Sequence, residues 1–259
     1  MSRHWAKFFA AFLLLAAGMA SASEPTAGSV WTEPATGIAF VWVPSGEFDM
    51  GCQAPADHCP ATELPVHHRI IAGFWLSRTE ITRGQWGRLM ADDPSTLKKS
   101  DAYPVDQTTW QLANSYIAKL NKTGHGRFRL PSEAEWEYAC RAGSRSDLYC
   151  GGSDVGAIAW DINNAKRSTQ PVAQKAANAF GLYDMSGNLW EWTEDCWSEN
   201  YEGAPADGRA RVNDVCDARV MRGGSWGSYP EQLRASSRRS YDDVKCPFVG
   251  LRLVRDGGR

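Results

Sequence analysis

Hydrophobic and polar positions alternate from Ile38 onward. IAFVWVPSGEFDMG reads as two short strands around a Pro44-Ser45-Gly46 turn, and HHRIIAGFWLSRTEIT repeats that texture. The period then changes. Thr82 and Gln85 form a capping box ahead of Trp86, Leu89 and Met90, which share one face of a short helix. In PVDQTTWQLANSYIAKLNK, Trp110, Ala113, Tyr116, Ile117 and Leu120 fall on one stripe, with Thr108 and Gln111 as the capping pair and residues 121–126 as the stop. RLPSEAEWEYACRAG restarts a helix after Pro131, with Ser132 as N-cap, Glu135 at the capping-box position, and Trp136, Ala139 and Cys140 turned inward. Beyond Gly143, turn-forming residues recur too often for long elements. Short strands joined by long loops are expected there, with GGSW and FVGLRLV as strands. The predicted class is α+β. Residues 23–35, rich in Ser, Pro, Gly and Thr, are expected to be a flexible lead-in.

The 259 residues, 43% of them hydrophobic, suit one large domain, and a formal charge of -2 favours neither nucleic acid nor an anionic membrane as partner. Residues 1–22 read as a removed signal peptide: Arg3 and Lys7 precede an apolar run at 8–17, and Ala20 and Ala22 suit a signal peptidase. That run is shorter than the roughly 20 residues of a membrane span, and no other segment qualifies. A periplasmic or secreted protein with no span after signal removal is expected. Seven cysteines meet an oxidising compartment there, so disulfides are the default. Many pairings are possible. Short loops give the simplest set: Cys52 with Cys59, Cys140 with Cys150, and Cys196 with Cys216, leaving Cys246 free. No CxxC pair occurs and the five histidines are dispersed, which disfavours a zinc cluster. His67 and His68 point to opposite sides if extended and cannot make a two-ligand face.

FGLYDMSGNLWEWTED at 180–195 places oxygens at Asp184, Asn188, Glu191, Glu194 and Asp195 between bulky aromatics. It reads as an ion site or as a tight turn capped by Asp184. The tryptophans at 190, 192, 197 and 226 are expected mostly in the core. LRASSRRS carries Arg234, Arg238 and Arg239; a strand would put the last two on opposite faces, one with a structural partner, and an acidic ligand is a further reading.

FVWVPSGEFDMG, ELPVHHRI, YPVDQTTW, RLPSEAEWEYACRAG, NAFGLYDMSGNLWEW, RGGSW and FVGLRLV occur in the order seen in the formylglycine-generating enzyme (sulfatase-modifying factor) superfamily, which the chain resembles over residues 36–256. The resemblance implies a C-type-lectin-like α+β domain. It implies a calcium site made by Asp184, the carbonyls of Gly187 and Leu189, and Glu191. It also implies a ligand groove marked by Trp190, Ser225, Trp226, Ser228 and Tyr229. The family's copper oxidases hold copper with two cysteines after the RGGS-type motif. Here the first position is Ser228 and the second falls within residues 229–233, which contain no cysteine. A cuprous ion wants soft thiolates, so no copper and no conversion of cysteine to formylglycine are expected. Cys246 would reach that site only if its loop folded back, which is not expected. Two functions follow. One is an exported domain recognising a peptide, protein or envelope ligand. The alternative is a periplasmic oxidoreductase of the pyoverdine-maturation type, acting on a peptide-linked side chain with a different metal or none. Oligomeric state stays open.

Overall fold

The computed structural model describes residues 24–53, 58–145 and 147–257, so the predicted signal peptide at 1–22 lies outside the described residues. Strands β1 (Val30–Thr32), β2 (Ala39–Val43), β3 (Gly46–Met50), β4 (His67–Ile71) and β5 (Phe74–Ser77) come first. Helix α1 (Arg83–Gly87), helix α2 (Trp110–Asn121), strand β6 (Phe128–Arg129) and helix α3 (Glu133–Arg141) follow. After α4 (Val155–Ile158) come β7 (Trp190–Cys196), β8 (Arg219–Arg222), β9 (Arg238–Tyr241), β10 (Val249–Gly250) and β11 (Val254–Asp256). Among the described residues these make a five-stranded sheet in the order β1-β2-β5-β11-β6, a four-stranded sheet β10-β7-β8-β9, and the hairpin β3-β4. The architecture is α+β with long loops.

Local chemistry sets the helix starts. Thr82 accepts from the Gln85 N–H at 3.2 Å while the Gln85 side chain accepts from the Thr82 N–H at 3.0 Å. Ser132 and Glu135 repeat the arrangement at α3. Helix α2 departs from expectation by one residue. Its N-cap is Thr109, which accepts from the Leu112 N–H, because Thr108 is fully buried and donates to the Val249 carbonyl. The N–H groups of Trp110 and Gln111 go to Asp243 instead.

Three other expectations need correction. The lead-in at 23–35 is not loose throughout: β1 pairs with β2, Trp31 packs on Phe40 and Phe128, and the buried Glu33 carboxylate accepts the Ala35 and Thr36 N–H groups. GGSW is a turn following β8, since Gly223 and Gly224 adopt φ of 95° and 77°. A Cβ on Gly224 would sit 2.3 Å from the Leu233 side chain. FVGLRLV divides into β10 and β11 around a fully buried Arg252.

The three short-loop disulfides form as expected, and Cys246 is free and buried. Each closes a loop that the small regular structure leaves thinly supported.

The four-stranded sheet has two chemically different faces, because successive side chains alternate. Glu191, Arg222 and Arg238 are in register on one face; Trp192, Met221 and Arg239 are in register on the other, with Trp190 and Tyr241. The second face meets the α2 stripe, where Ala113, Tyr116, Ile117 and Leu120 are buried with Trp86, Trp192 and Leu251. The first face meets α3, whose Trp136, Ala139 and Cys140 are fully buried.

Candidate functional site

A cavity of about 260 Å³ opens on the apolar face of the four-stranded sheet. Met221 of β8 and Trp190 of β7 line its inner side; Ser225 and Ser228 come from the turn after β8. That turn is held by its own serines. Ser228 Oγ accepts the Ser225 N–H at 3.0 Å, and the Ser228 N–H donates to the Ser225 carbonyl at 2.9 Å. Trp226 donates its backbone N–H to the Asn188 carbonyl, tying the turn to the segment leading into β7.

Of the predicted groove residues, Trp190, Ser225 and Ser228 share this cavity. Trp226 does not. Its ring packs on Phe248 with centroids 4.5 Å apart, and it borders a neighbouring cavity of about 220 Å³ together with Leu97, Arg167 and Pro247. Tyr229 is not among the lining residues and is 61% exposed.

The structure brings in residues that sequence reasoning set aside. Cys246 lines the cavity, as do Tyr241, Arg239 and Phe248. The loop after β9 does fold back, against the expectation that it would not, because Asp243 anchors it on the first N–H groups of α2 and the Cys246 carbonyl accepts the Gln107 N–H at 3.2 Å. Tyr241 is pushed up to about 12 by its hydrogen bond with the Cys246 thiol and then by burial. The cavity therefore offers one thiol and the Met221 thioether, not the paired thiolates of a copper oxidase centre.

The three arginines of LRASSRRS separate. Arg234 makes a bidentate pair with Glu63 at 2.7 and 2.6 Å. Arg238 lies on the inner face and pairs with Glu133 at 2.7 and 2.9 Å. Arg239 projects to the opposite face, is exposed, lines the cavity, and makes no ion pair or hydrogen bond through its guanidinium among the described residues.

The 180–195 segment does other work. Both Glu191 oxygens are engaged: Arg252 donates to them at 2.8 to 3.0 Å, and Trp136 Nε1 donates to Oε2 at 2.7 Å. Gly187 adopts φ 84° against the Trp160 backbone, and a Cβ there would sit 2.3 Å from the Trp160 carbonyl oxygen. The buried Glu80 carboxylate accepts the Asn188 side-chain amide and the Leu189 N–H. Burial, then Asp184 and Glu191, raise Glu80 well above the usual carboxylate range. Asp184 accepts the Ala173 N–H through Oδ2 at 2.7 Å, while its Oδ1 has no hydrogen-bond partner among the described residues. Burial pushes Asp184 up to about 6. A cation at Glu191 would face the Arg252 guanidinium, which already donates to both carboxylate oxygens, so Glu191 suits calcium poorly as a ligand. The aromatic and acidic residues here join α3, β7 and the 170s loop from within.

His67 and His68 separate as expected for a strand. His67 packs on Tyr201 with ring centroids 4.6 Å apart, and His68 faces Glu47 and Asp49.

Residues 26–257 match the family described as sulfatase-modifying factor enzyme 1-like domain. The solved structure of PvdO from Pseudomonas aeruginosa superposes with a TM-score of 0.83 at 28% identity, covering 91% of this chain and all (100%) of that one. The chaperone protein LppX of Paenibacillus barcinonensis is 27% identical over 239 residues, 71% of this chain and 81% of that protein. The formylglycine-generating enzyme of Mus musculus is 28% identical over 74% of this chain, which spans only 54% of the mouse protein.

Proposed function

Because the chain belongs to the family of sulfatase-modifying factor enzyme 1-like domains, we propose that it is an exported binding protein that holds a peptide, protein or envelope ligand in the cavity beside Trp190, without copper-dependent oxidation of cysteine. The observation that carries this reading is the donor set. The cavity has aromatic walls at Trp190 and Phe248, hydroxyls at Ser225, Ser228 and Tyr241, and a single thiol at Cys246. Such a lining suits recognition, since apolar walls with a few placed polar groups fix a ligand's orientation. It does not supply two thiolates. The likeness to a relative named a chaperone protein is in keeping with a polypeptide ligand. A periplasmic or secreted location is supported by the leader-like residues 1–22 and by the three disulfides.

Incubation of the purified mature chain with a cysteine-containing sulfatase peptide, copper and oxygen is expected to leave the thiol intact by mass spectrometry. Aldehyde formation would end this reading. Peptides selected from a displayed random library by the wild-type chain are expected to lose binding to Phe248→Ala, which removes a ring that lines the cavity.

The full-length likeness to PvdO favours one second reading, an oxidoreductase of the pyoverdine-maturation type acting on a peptide-linked side chain with a different metal or none. Stoichiometric iron or copper in the purified protein would favour that enzyme over the binding protein.

A further inference from the structure

We propose that the cavity beside Trp190 selects ligands carrying a carboxylate next to an apolar group, with Arg239 as the residue that reads the charge. This rests on the cavity being the binding site, as proposed above.

Arginines near this site are neutralised by design of the strands: Arg222 by Glu133 and Glu137, Arg238 by Glu133, Arg234 by Glu63. Alternation along β9 sends Arg238 into that buried network and Arg239 to the other face, opposite Met221. Arg239 is the only cavity-lining residue with a formal charge, and its guanidinium has no carboxylate partner among the described residues. The nearby acid with a defined role, Asp243, is committed to the N-terminus of α2. Asp242 lies near Tyr241 but outside the cavity lining and makes no ion pair with Arg239 among the described residues, so the lining itself carries one positive charge beside the aromatic walls of Trp190 and Phe248 and the hydroxyls of Ser225 and Ser228. A guanidinium offers a planar fork of donors that matches a carboxylate in two-point contact. The rings next to it offer apolar area for the group that bears the carboxylate. An ammonium-bearing ligand in the same seat would meet like charge. The carboxylate can come from an acidic side chain or from a chain end, and both present the same group.

Four blocked probes separate these possibilities: acetyl-Phe-Glu-amide, acetyl-Phe-Gln-amide, acetyl-Phe-Lys-amide, and acetyl-Phe with a free carboxylate, each titrated against the intact mature chain by NMR. A fully solvated ion pair gives less than about fivefold, and a pair covered by ligand against apolar walls gives more. The Glu probe is therefore expected to bind about five- to tenfold tighter than the Gln probe, and the Lys probe weaker than both. Tighter binding of the free-acid probe than of the Glu probe would assign the carboxylate to a chain end, and the reverse would assign it to a side chain. Arg239→Gln is expected to bring the Glu and Gln probes within twofold, chiefly by weakening the Glu probe, and Arg239→Lys is expected to keep the preference. Equal binding of Glu and Gln probes by wild type, or a preference that survives Arg239→Gln, would overturn the inference. If that happens while Phe248→Ala still weakens all probes, the cavity remains the site and only the charge selection falls. If no probe binds, or Phe248→Ala changes none of them, the cavity reading and the inference fall together.

Discussion

Replacing Glu133 with alanine is expected to lower stability by about 3–5 kcal/mol, the range for breaking a buried ion network by removing one partner. In a domain of this size that corresponds to a fall on the order of 10 °C in melting temperature. Glu133 is 3% exposed and accepts from Arg238, Arg222 and the Tyr201 hydroxyl, the last at 3.0 Å. Its neighbour Glu137 is fully buried and binds Arg222, Arg141 and the Gly51 N–H. Together they hold three buried guanidiniums, those of Arg141, Arg222 and Arg238, between α3 and the inner face of β8 and β9. Removing Glu133 leaves Arg238 without its paired carboxylate and Arg222 sharing Glu137 with Arg141, in surroundings where uncompensated charge is costly. The pH signature has a definite sign. Burial alone would raise Glu133, but Arg238 and Arg222 hold it below its ordinary value. Its contribution is then present above the unfolded carboxylate range and is lost as pH falls through the lower folded value. Urea denaturation across pH should show wild type losing this contribution at the acid end, and Glu133→Ala lacking it throughout. A loss below about 1 kcal/mol at neutral pH would mean that water already screens the network.

Much of the local structure is legible in the sequence because its causes are local. Thr82 with Gln85, and Ser132 with Glu135, act across three residues, so a short window contains both partners. The same holds for the α2 stripe and for disulfides spanning 7, 10 and 20 residues. Where a distant partner decides, the reading slips. Thr109 caps α2 because the Val249 carbonyl, far along the chain, takes the Thr108 hydroxyl. Strand β7 went unread because it is buried on both faces and shows no alternation, and its carboxylates look like ion ligands. In fact Glu191 is the counter-ion of Arg252, and Asp195 accepts the first N–H of α3 at Glu133.

The candidate site divides along the same line. Trp190, Ser225 and Ser228 follow from motif positions. Arg239 was half legible, since strand alternation separates it from Arg238 but says nothing of which face holds a cavity. The sequence names Cys246 as a residue that reaches the site only if its loop folds back, but nothing local shows that it does: its place depends on Asp243 reaching the start of α2, 132 and 133 residues away in sequence. The four-stranded sheet thus performs two tasks with one alternation. One face spends its charges internally and gives rigidity; the other leaves a single arginine and a few hydroxyls facing a cavity.

Arg252→Met is expected to cost about 3–5 kcal/mol as well, and it tests what the 180–195 segment is for. Arg252 is fully buried; it donates to both Glu191 oxygens and to the carbonyls of Ser77 and Tyr183, each at 2.7 Å. Without it, Glu191, Glu80 and Asp184 are three acids buried together with no cation. Already in the wild type, burial pushes Asp184 up to about 6. A folded value above the unfolded one means that stability from this group is full below the unfolded carboxylate range and is lost as pH rises through about 6. Removing Arg252 takes away the positive charge that limits this rise, so the variant's deficit should grow from acid to neutral pH, the same direction as for Glu133→Ala. Thermal melts of wild type and Arg252→Met at pH 4.5 and pH 7.5 read this directly, conditions chosen to bracket a value of about 6. If the guanidinium is what neutralises the cluster, excess chelator leaves the wild-type melt unchanged and added calcium does not rescue the variant. A wild-type melting temperature that falls with chelator and returns with calcium would show that a divalent cation, rather than Arg252, balances these carboxylates.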